Sequence, residues 1–319
     1  MQAIQPNLYQ LEIPLPGNPL RAVNSYVIKG GERNLIIDTG MNRKECREVI
    51  DAGLRELEID LAVTDLFITH MHADHSGLIS HLATSSSRVY CSQVDADLIN
   101  HTDIFNDMPV YATINGFPGA EKAVQQHPGF KYGNRVPVNF TIVKEGDTIN
   151  VGDYQFQCVA TPGHTGGHLC LYEERRKLFI AGDHLLGKIT PNISMWAAEG
   201  NPLQDFLDSL DKIYHLDVQL VLPAHRQSFT NYQERIDQLK LHHQRRAQAI
   251  MSVLEQGPRN AYEVASQLDW DLSYKHWHEF PLPQKWFANG EALSHLRYLE
   301  RKGLVKADRS GEIIQYSLA

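Results

Sequence analysis

A chain of 319 residues with 42% hydrophobic and 21% charged residues has room for one large domain and a smaller one, and its ordinary balance excludes wholesale disorder. A formal charge of −8 at pH 7 excludes a general electrostatic pull toward nucleic-acid backbones or anionic lipid. There is no basic leader before Pro16, no apolar run of bilayer length and no Cys-x-x-Cys pair among four cysteines, so a reducing, cytoplasmic setting without membrane insertion is expected.

The first elements alternate strand and helix. Residues 23–28 and 34–38 are β-rich runs joined across Lys29-Gly30-Gly31-Glu32, the composition of a hairpin. Cys46, Val49, Ile50, Leu54 and Leu57 recur at helical spacing, and residues 65–69 return to a short buried strand. Further strands are expected at 88–91, 139–143, 154–160, 168–172, 178–181 and 218–222, with helices after Ser92 and over 203–214. Together they predict a sheet core covered by helices. Residues 102–136, rich in Pro, Gly and aromatics without a clear period, read as a lid inserted in this domain.

From Gln233 a long helical stretch runs to Glu255 and stops at Gly257-Pro258. The domain boundary is placed inside it, giving 1–235 and 236–319. Beyond it come a short helix at 261–268, an irregular Trp-rich segment, and a helix at 291–302 with Leu293, Leu296 and Leu299 facing inward. Gly303 stops that helix, and runs at 304–307 and 312–318 flank Ser310-Gly311 as a closing hairpin. Three helices and a hairpin describe a winged helix.

The chemistry is concentrated at strand ends. Thr69-His70-Met71-His72-Ala73-Asp74-His75 sets three imidazoles and a carboxylate in six residues after a buried strand, a costly arrangement for packing alone. Nitrogen and carboxylate donors of this kind are what catalytic zinc sites use. Thr161-Pro162-Gly163-His164, Ala181-Gly182-Asp183 and Pro223-Ala224-His225 each follow another strand, where a rigid sheet holds a ligand in place.

The pattern His-x-His-x-Asp-His, followed at long intervals by His, Asp and His, resembles the metallo-β-lactamase superfamily over roughly residues 1–230. The resemblance implies an α+β fold, a four-layer αβ/βα sandwich, here followed by the small winged-helix domain. It also implies that His70, His72 and His164 bind one metal, that Asp74, His75 and His225 bind a second, and that Asp183 bridges them. Asp38, in Asp38-Thr39-Gly40, and His168 are then outer groups that orient ligands. Two readings of His184 stay open, a buried structural imidazole and a catalytic group facing substrate. Gly167 stands where many relatives carry Pro, which a turn tolerates. Arg226 stands where Gly is common, which narrows the pocket or adds a cation beside it.

Two zinc ions are the expected cofactor, and manganese or iron suit the same donors. By the same resemblance Asp183 would be shared by the pair, the metals would supply a nucleophilic hydroxide from water, and Asp74 would orient it. Glu replaces His72 in iron-using flavodiiron relatives, which argues against that redox branch; a mononuclear iron dioxygenase of the same fold shares the ligands. The aromatic lid with Tyr111, together with Trp196 beyond Asp183, favours a small-molecule ester, thioester or lactone as substrate. The alternative is a single-stranded RNA endonuclease, because the C-terminal domain resembles the extension on lactamase-like ribonucleases. Residues 240–319 carry eleven Lys or Arg against nine Asp or Glu, which is weak for nucleic acid. Packing on the hydrolase domain or a second copy of the chain, a homodimer, is the favoured role, with Arg297, Arg301 and Lys302 as a local basic strip.

Overall fold

The computed structural model describes residues 1–101, 104–195, 197–271 and 274–319. The chain forms two compact units: unit 1 is Met1–Thr102, Tyr132–Pro191 and Ser209–Arg235, and unit 2 is Asp103–Lys131, Asn192–Asp208 and Ile236–Ala319. One division falls between Arg235 and Ile236, inside the long helix. The other divisions differ from the expected single boundary, because residues 103–131 and 192–208 group with the C-terminal part rather than with the sheets.

Unit 1 carries β1 (Gln2–Gln5), β2 (Leu8–Pro14), β3 (Ala22–Ile28), β4 (Asn34–Ile37), α1 (Lys44–Glu56) and β5 (Thr64–Phe67). They are followed by α2 (Ala73–Ser76), α3 (Ile79–Leu82), β6 (Val89–Cys91) and α4 (Gln93–Asn100). Unit 2 takes α5 (Ile104–Ile114) and α6 (Ala120–Gln126), and α7 (Pro128–Tyr132) returns the chain to unit 1. There follow β7 (Phe140–Ile142), β8 (Thr148–Val151), β9 (Tyr154–Ala160), β10 (Leu169–Glu173), β11 (Leu178–Gly182), α8 (Pro202–Tyr214) and β12 (Leu220–Pro223). The rest is α9 (Tyr232–Leu254), α10 (Ala261–Ser266), α11 (Leu282–Arg301) and the hairpin β13 (Val305–Asp308) and β14 (Gln315–Leu318).

Strands β1 to β7 form one sheet in chain order, antiparallel through β4 and parallel from β4 to β7. The second sheet runs β12-β11-β10-β9-β8, antiparallel apart from β11 with β12. Alternation in β9 sends Tyr154, Phe156 and Cys158 inward and leaves Gln155 and Gln157 exposed. Those residues meet Tyr26, Ile28, Ile37 and Phe67 of the first sheet in the core between the two. Each such aromatic or aliphatic side chain contributes about 1.5–3 kcal/mol by leaving water. β10 and β11 are buried along their whole length, as their unbroken apolar runs require.

A second core lies on the other face of the first sheet, where Cys46, Ile50 and Leu54 of α1 pack with Leu11 and Ile13 of β2. Val49, expected on that inner face, is exposed. Gly53 lets α1 approach closely, since a Cβ there would stand 2.7 Å from Leu11. All four cysteines are buried and free. Among the described residues no helix is long and apolar enough to cross a membrane.

The expected lid loop is largely helical. Pro109 lies inside α5 and removes a backbone donor, which hides the helix from periodicity, yet Met108 and Ala112 pack with Phe117, Val124 and Trp286 in a core of unit 2. The Trp-rich segment is also partly helical: α11 begins at Leu282, nine residues before the expected start, and buries Trp286 completely. β1, β2 and β8 were not among the expected strands.

Unit 2 also buries a polar chain between α9 and α11. His295 Nδ1 is 2.9 Å from the Glu291 carbonyl and therefore donates to it, so its Nε2 accepts from His243 Nδ1 at 3.2 Å. Burial pushes the His295 imidazole down to about 4, against the pull of Glu291. In the unfolded chain that imidazole takes its proton near its ordinary value of 6.5. Between these values the unfolded state binds more protons, so the contribution to stability is complete above about pH 6.5 and declines as pH falls toward 4. The loss by pH 5 is on the order of 2 kcal/mol, a shift of several degrees in unfolding temperature. Thermal unfolding at pH 7 and pH 5 should show a smaller difference in His295→Gln than in the parent chain; equal differences would refute a neutral, buried His295.

Candidate metal centre

Five strand ends of unit 1 supply the predicted residues. Asp38 follows β4, the His70–His75 loop follows β5, His164 follows β9, Asp183 follows β11 and His225 follows β12. The loop after β5 turns through α2, which places Asp74 and His75 in one helical turn. Ser76 Oγ pins it by donating to the carbonyls of Met71 and His72.

Among the described residues the donor atoms converge in three overlapping groups: His70, His72 and His164; His70, His75 and Asp183; and Asp74, His75 and His225. His72 Nδ1 lies 3.0 Å from both His70 Nε2 and His164 Nε2. Asp74 Oδ2 lies 3.5 Å from His225 Nε2 and 3.8 Å from His75 Nε2. Asp183 reaches toward the first and the third: its Oδ2 is 3.4 Å from His164 Nε2, and its Oδ1 is 3.3 Å from His225 Nε2 and 3.7 Å from His75 Nε2. His70, His75 and His225 are fully buried, while His72 and His164 are partly open.

Neighbouring hydrogen bonds aim the imidazoles. Thr69 Oγ1 donates to Asp38 and so accepts from His70 Nδ1 at 3.1 Å, leaving His70 Nε2 as a lone pair. His75 Nδ1 donates to Asp38 Oδ2 at 2.8 Å and His225 Nδ1 to the Ala22 carbonyl at 2.7 Å. Asp38 also accepts the Thr69 backbone N–H at 2.9 Å. It serves three groups from a left-handed backbone position, φ 58°, which a non-glycine residue adopts at a cost.

Among the described residues, His75 Nε2, His225 Nε2 and Asp183 Oδ1 are buried with no partner beyond one another. Imidazole nitrogens and carboxylates gathered in a dry, acidic site call for a shared cation, a proton or a metal ion. Nitrogens held by a tetrahedral ion at about 2.0–2.1 Å stand about 3.3 Å apart, close to the spacings here. The charges agree. Burial pushes His75 down, but Asp38, Asp74 and Asp183 prevail and lift it to about 10. Burial pushes Asp183 up, yet His225 and His75 hold its carboxyl well below the usual range. The residues present therefore fit divalent metal.

His168 accepts the Asp183 backbone N–H on Nε2 at 3.1 Å and meets Thr161 Oγ1 through Nδ1 at 2.8 Å. Gly182 makes this possible: its φ is +50°, and a Cβ there would stand 2.6 Å from His168 Nε2. His184 is fully buried, and burial, with His164 nearby, pushes it down to about 3. Such an imidazole is enclosed, which suits the structural one of its two readings. Tyr111 lies in unit 2, packed against Ala261, Leu296 and their neighbours. Trp196 lies outside the described residues.

Arg226, expected to narrow the pocket or add a cation beside it, donates to the Pro19 carbonyl at 2.9 Å. Its φ of 70° is a conformation that suits glycine. Gly167 is more than a tolerant turn residue. Its N–H donates to Asp95 Oδ1 at 3.0 Å, which proline could not do, and a Cβ would stand 2.2 Å from Ser92 Oγ.

Sequence reasoning missed Asp95. Fully buried on α4, it also accepts from the Met71 N–H at 3.0 Å and Thr165 Oγ1 at 2.6 Å. It thus joins the loop of His70 and His72 to the loop of His164. Ser92-x-x-Asp95 reads locally as a helix-capping pair, so only the folded loops reveal this second use. Asn24 was missed too; its Nδ2 donates to the carbonyls of Pro223 and Arg226 on either side of His225.

The metallo-beta-lactamase superfamily model matches residues 18–225, nearly two thirds of the chain and every converging residue. This chain belongs to that superfamily. A metallo-beta-lactamase family protein of Thermus thermophilus has the same fold over 99% of this chain and 100% of its own, with TM-score 0.84 and 28% identity. Acyl-coenzyme A thioesterase MBLAC2 of Homo sapiens is 26% identical over 219 residues, 65% of this chain and 74% of its own. Atrochrysone carboxyl ACP thioesterase of Aspergillus fumigatus is 24% identical over 245 residues, 76% of this chain and 64% of its own. As a member of this superfamily the chain is a metal-dependent hydrolase.

Two substitutions test the supports. Gly182→Ala must move His168 or Asp183 and should lower metal retention at least tenfold, with activity falling in parallel. Asp95→Asn should cost about 10–100-fold in metal affinity while the chain still folds. Metal titration and circular dichroism read both; unchanged affinity in either variant contradicts the role given to that residue.

Proposed function

We propose that this chain hydrolyses thioesters at a two-metal centre, with His70, His72 and His164 holding one ion, Asp74, His75 and His225 the other, and Asp183 shared. The observation that carries the reading is the approach of Asp183 Oδ2 to one group of donors and of Oδ1 to the other. Zinc suits this nitrogen-rich set, and manganese or iron would compete for it. Bound metal supplies activation of water and polarisation of the scissile carbonyl.

The chain's own residues do the positioning. Asp38 and the Ala22 carbonyl keep the lone pairs of His75 and His225 turned inward. Asp74, not itself locked by a hydrogen bond in the way Asp38 is, offers a carboxylate to accept and orient a proton of the attacking water. A covalent route through cysteine is unsupported, since burial raises all four thiols, Cys158 to about 12.

The two named relatives act, by their names, on acyl groups carried by coenzyme A and by a carrier protein, and the thioester bond is what those carriers share. The chemistry supports the same class. A thiolate, with pKa about 8.5, leaves without a protonated acid beside it, and imidazoles holding metal would have no proton on the inward nitrogen to donate. Small esters and lactones with good leaving groups remain within reach of such a site.

Elemental analysis of loaded protein should find about two ions per chain. Asp183→Ala should lose at least one of them together with about 100-fold or more of the turnover, and chelation should abolish turnover reversibly. Thioester hydrolysis should exceed cleavage of labelled single-stranded RNA by the same preparation. RNA cleavage without thioesterase activity would transfer the assignment to the nuclease reading, and full activity in metal-free protein would end both.

A further inference from the structure

Outside the metal centre, unit 2 contains a cavity of about 630 Å³ with three arginines in its wall, Arg297, Arg301 and Arg309. Arg297 and Arg301 are one helical turn apart on α11, where like charges repel, and Arg309 comes from the turn between β13 and β14. Glu300 supplies a single negative charge. It takes Arg309 with both oxygens, at 2.8 and 3.0 Å, and lies 3.7 Å from Arg297 Nε. Arg297 Nη2 also donates to the Ala198 carbonyl at 2.7 Å. Among the described residues Arg301 has no hydrogen bond or ion pair. Three guanidiniums against one carboxylate leave the cavity with two excess positive charges.

The remaining wall is apolar and pre-formed. Tyr111, Ile114 and Ile314 contribute it, with Ile114 37% exposed. The Ile314 N–H donates to the Ile114 carbonyl at 2.8 Å and Tyr316 Oη meets Asn115 Oδ1 at 2.9 Å, so α5 and the hairpin are tied together. Asn115 Nδ2 closes the network on the Tyr111 carbonyl at 2.9 Å. A rigid site loses little entropy when occupied.

We propose that this cavity binds a small phosphomonoester, its phosphate on Arg297 and Arg301 with Arg309 shared from Glu300, and its apolar or aromatic part against Tyr111, Ile114 and Ile314. Planar guanidinium forks match phosphate oxygens two at a time, and the volume is that of a small-molecule pocket. The inference rests on unit 2 alone and is independent of the reaction at the metals.

Isothermal titration of the full chain with adenosine 5′-monophosphate tests it, with adenosine as the probe lacking phosphate. The nucleotide should bind once per chain, at least tenfold more tightly than adenosine, and more weakly as salt rises. Arg301→Ala, at an exposed position, should weaken it about tenfold or more, and Arg301→Lys should restore part of the loss. Nucleotide binding untouched by Arg301→Ala, such as binding held only by metal, overturns the proposal. So does equal affinity for adenosine, or the absence of saturable binding at millimolar nucleotide. A single-stranded oligonucleotide that binds far more tightly, with a steeper salt dependence, assigns the arginines to a nucleic-acid backbone instead.

Discussion

The structure of unit 1 depends on the cost of gathering buried imidazoles and carboxylates whose acidic field demands a cation. His75 Nε2, His225 Nε2 and Asp183 Oδ1 face one another out of contact with water. A cation is the physical answer, and the fold is arranged to keep that answer necessary. The donors are anchored at strand ends, so relaxing them would mean breaking the sheets that carry them. The same constraint explains the strained Asp38, the left-handed Gly182 and the buried Asp95, which are unfavourable alone and sensible as supports.

Those supports act in pairs across loops. Asp38 serves the loop after β5 twice, once at Thr69 and once at His75. Asp95 links that loop to the one after β9, and His168 carries the connection on to Asp183. The Gly182 carbonyl accepts the Ala224 N–H at 2.9 Å, which brings His225 into the same chain of contacts. A change in any one loop is therefore transmitted to donors in the others, and metal retention becomes a property of the network rather than of single ligands.

Unit 2 presents a different balance. Its buried polar groups include Glu291, which burial pushes up but facing His242, His295 and Arg246 hold down at about 2. Its surface charges are gathered locally, so a chain with an overall charge of −8 still presents a cavity of opposite sign. Net charge describes the average field and leaves such concentrations invisible.

The sequence alone determined the family, through its resemblance, a sheet core covered by helices, and the converging residues of the candidate metal centre, because short-range spacing and strand-end position are local properties. His70, His72, Asp74 and His75 lie within one turn and a loop, and His164, Asp183 and His225 each close a readable strand. It also determined the inward side of α11, since Leu293, Leu296 and Leu299 recur at helical spacing and all are buried. Only the tertiary structure decided what depends on distant pairing. Asp95 looked like a cap until the loops of Met71 and Thr165 folded onto it. His168 could be placed as a support only by the atoms it meets, Thr161 Oγ1 and the Asp183 N–H. Residues 103–131 read as a loop because Pro109 and scattered glycines blur the helical period, and packing against Trp286, far along the chain, supplies the stability that local propensity lacks. Arg301 and Arg309 are eight residues apart, and the chain reversal through β13 between them, not their spacing, turns both toward one cavity.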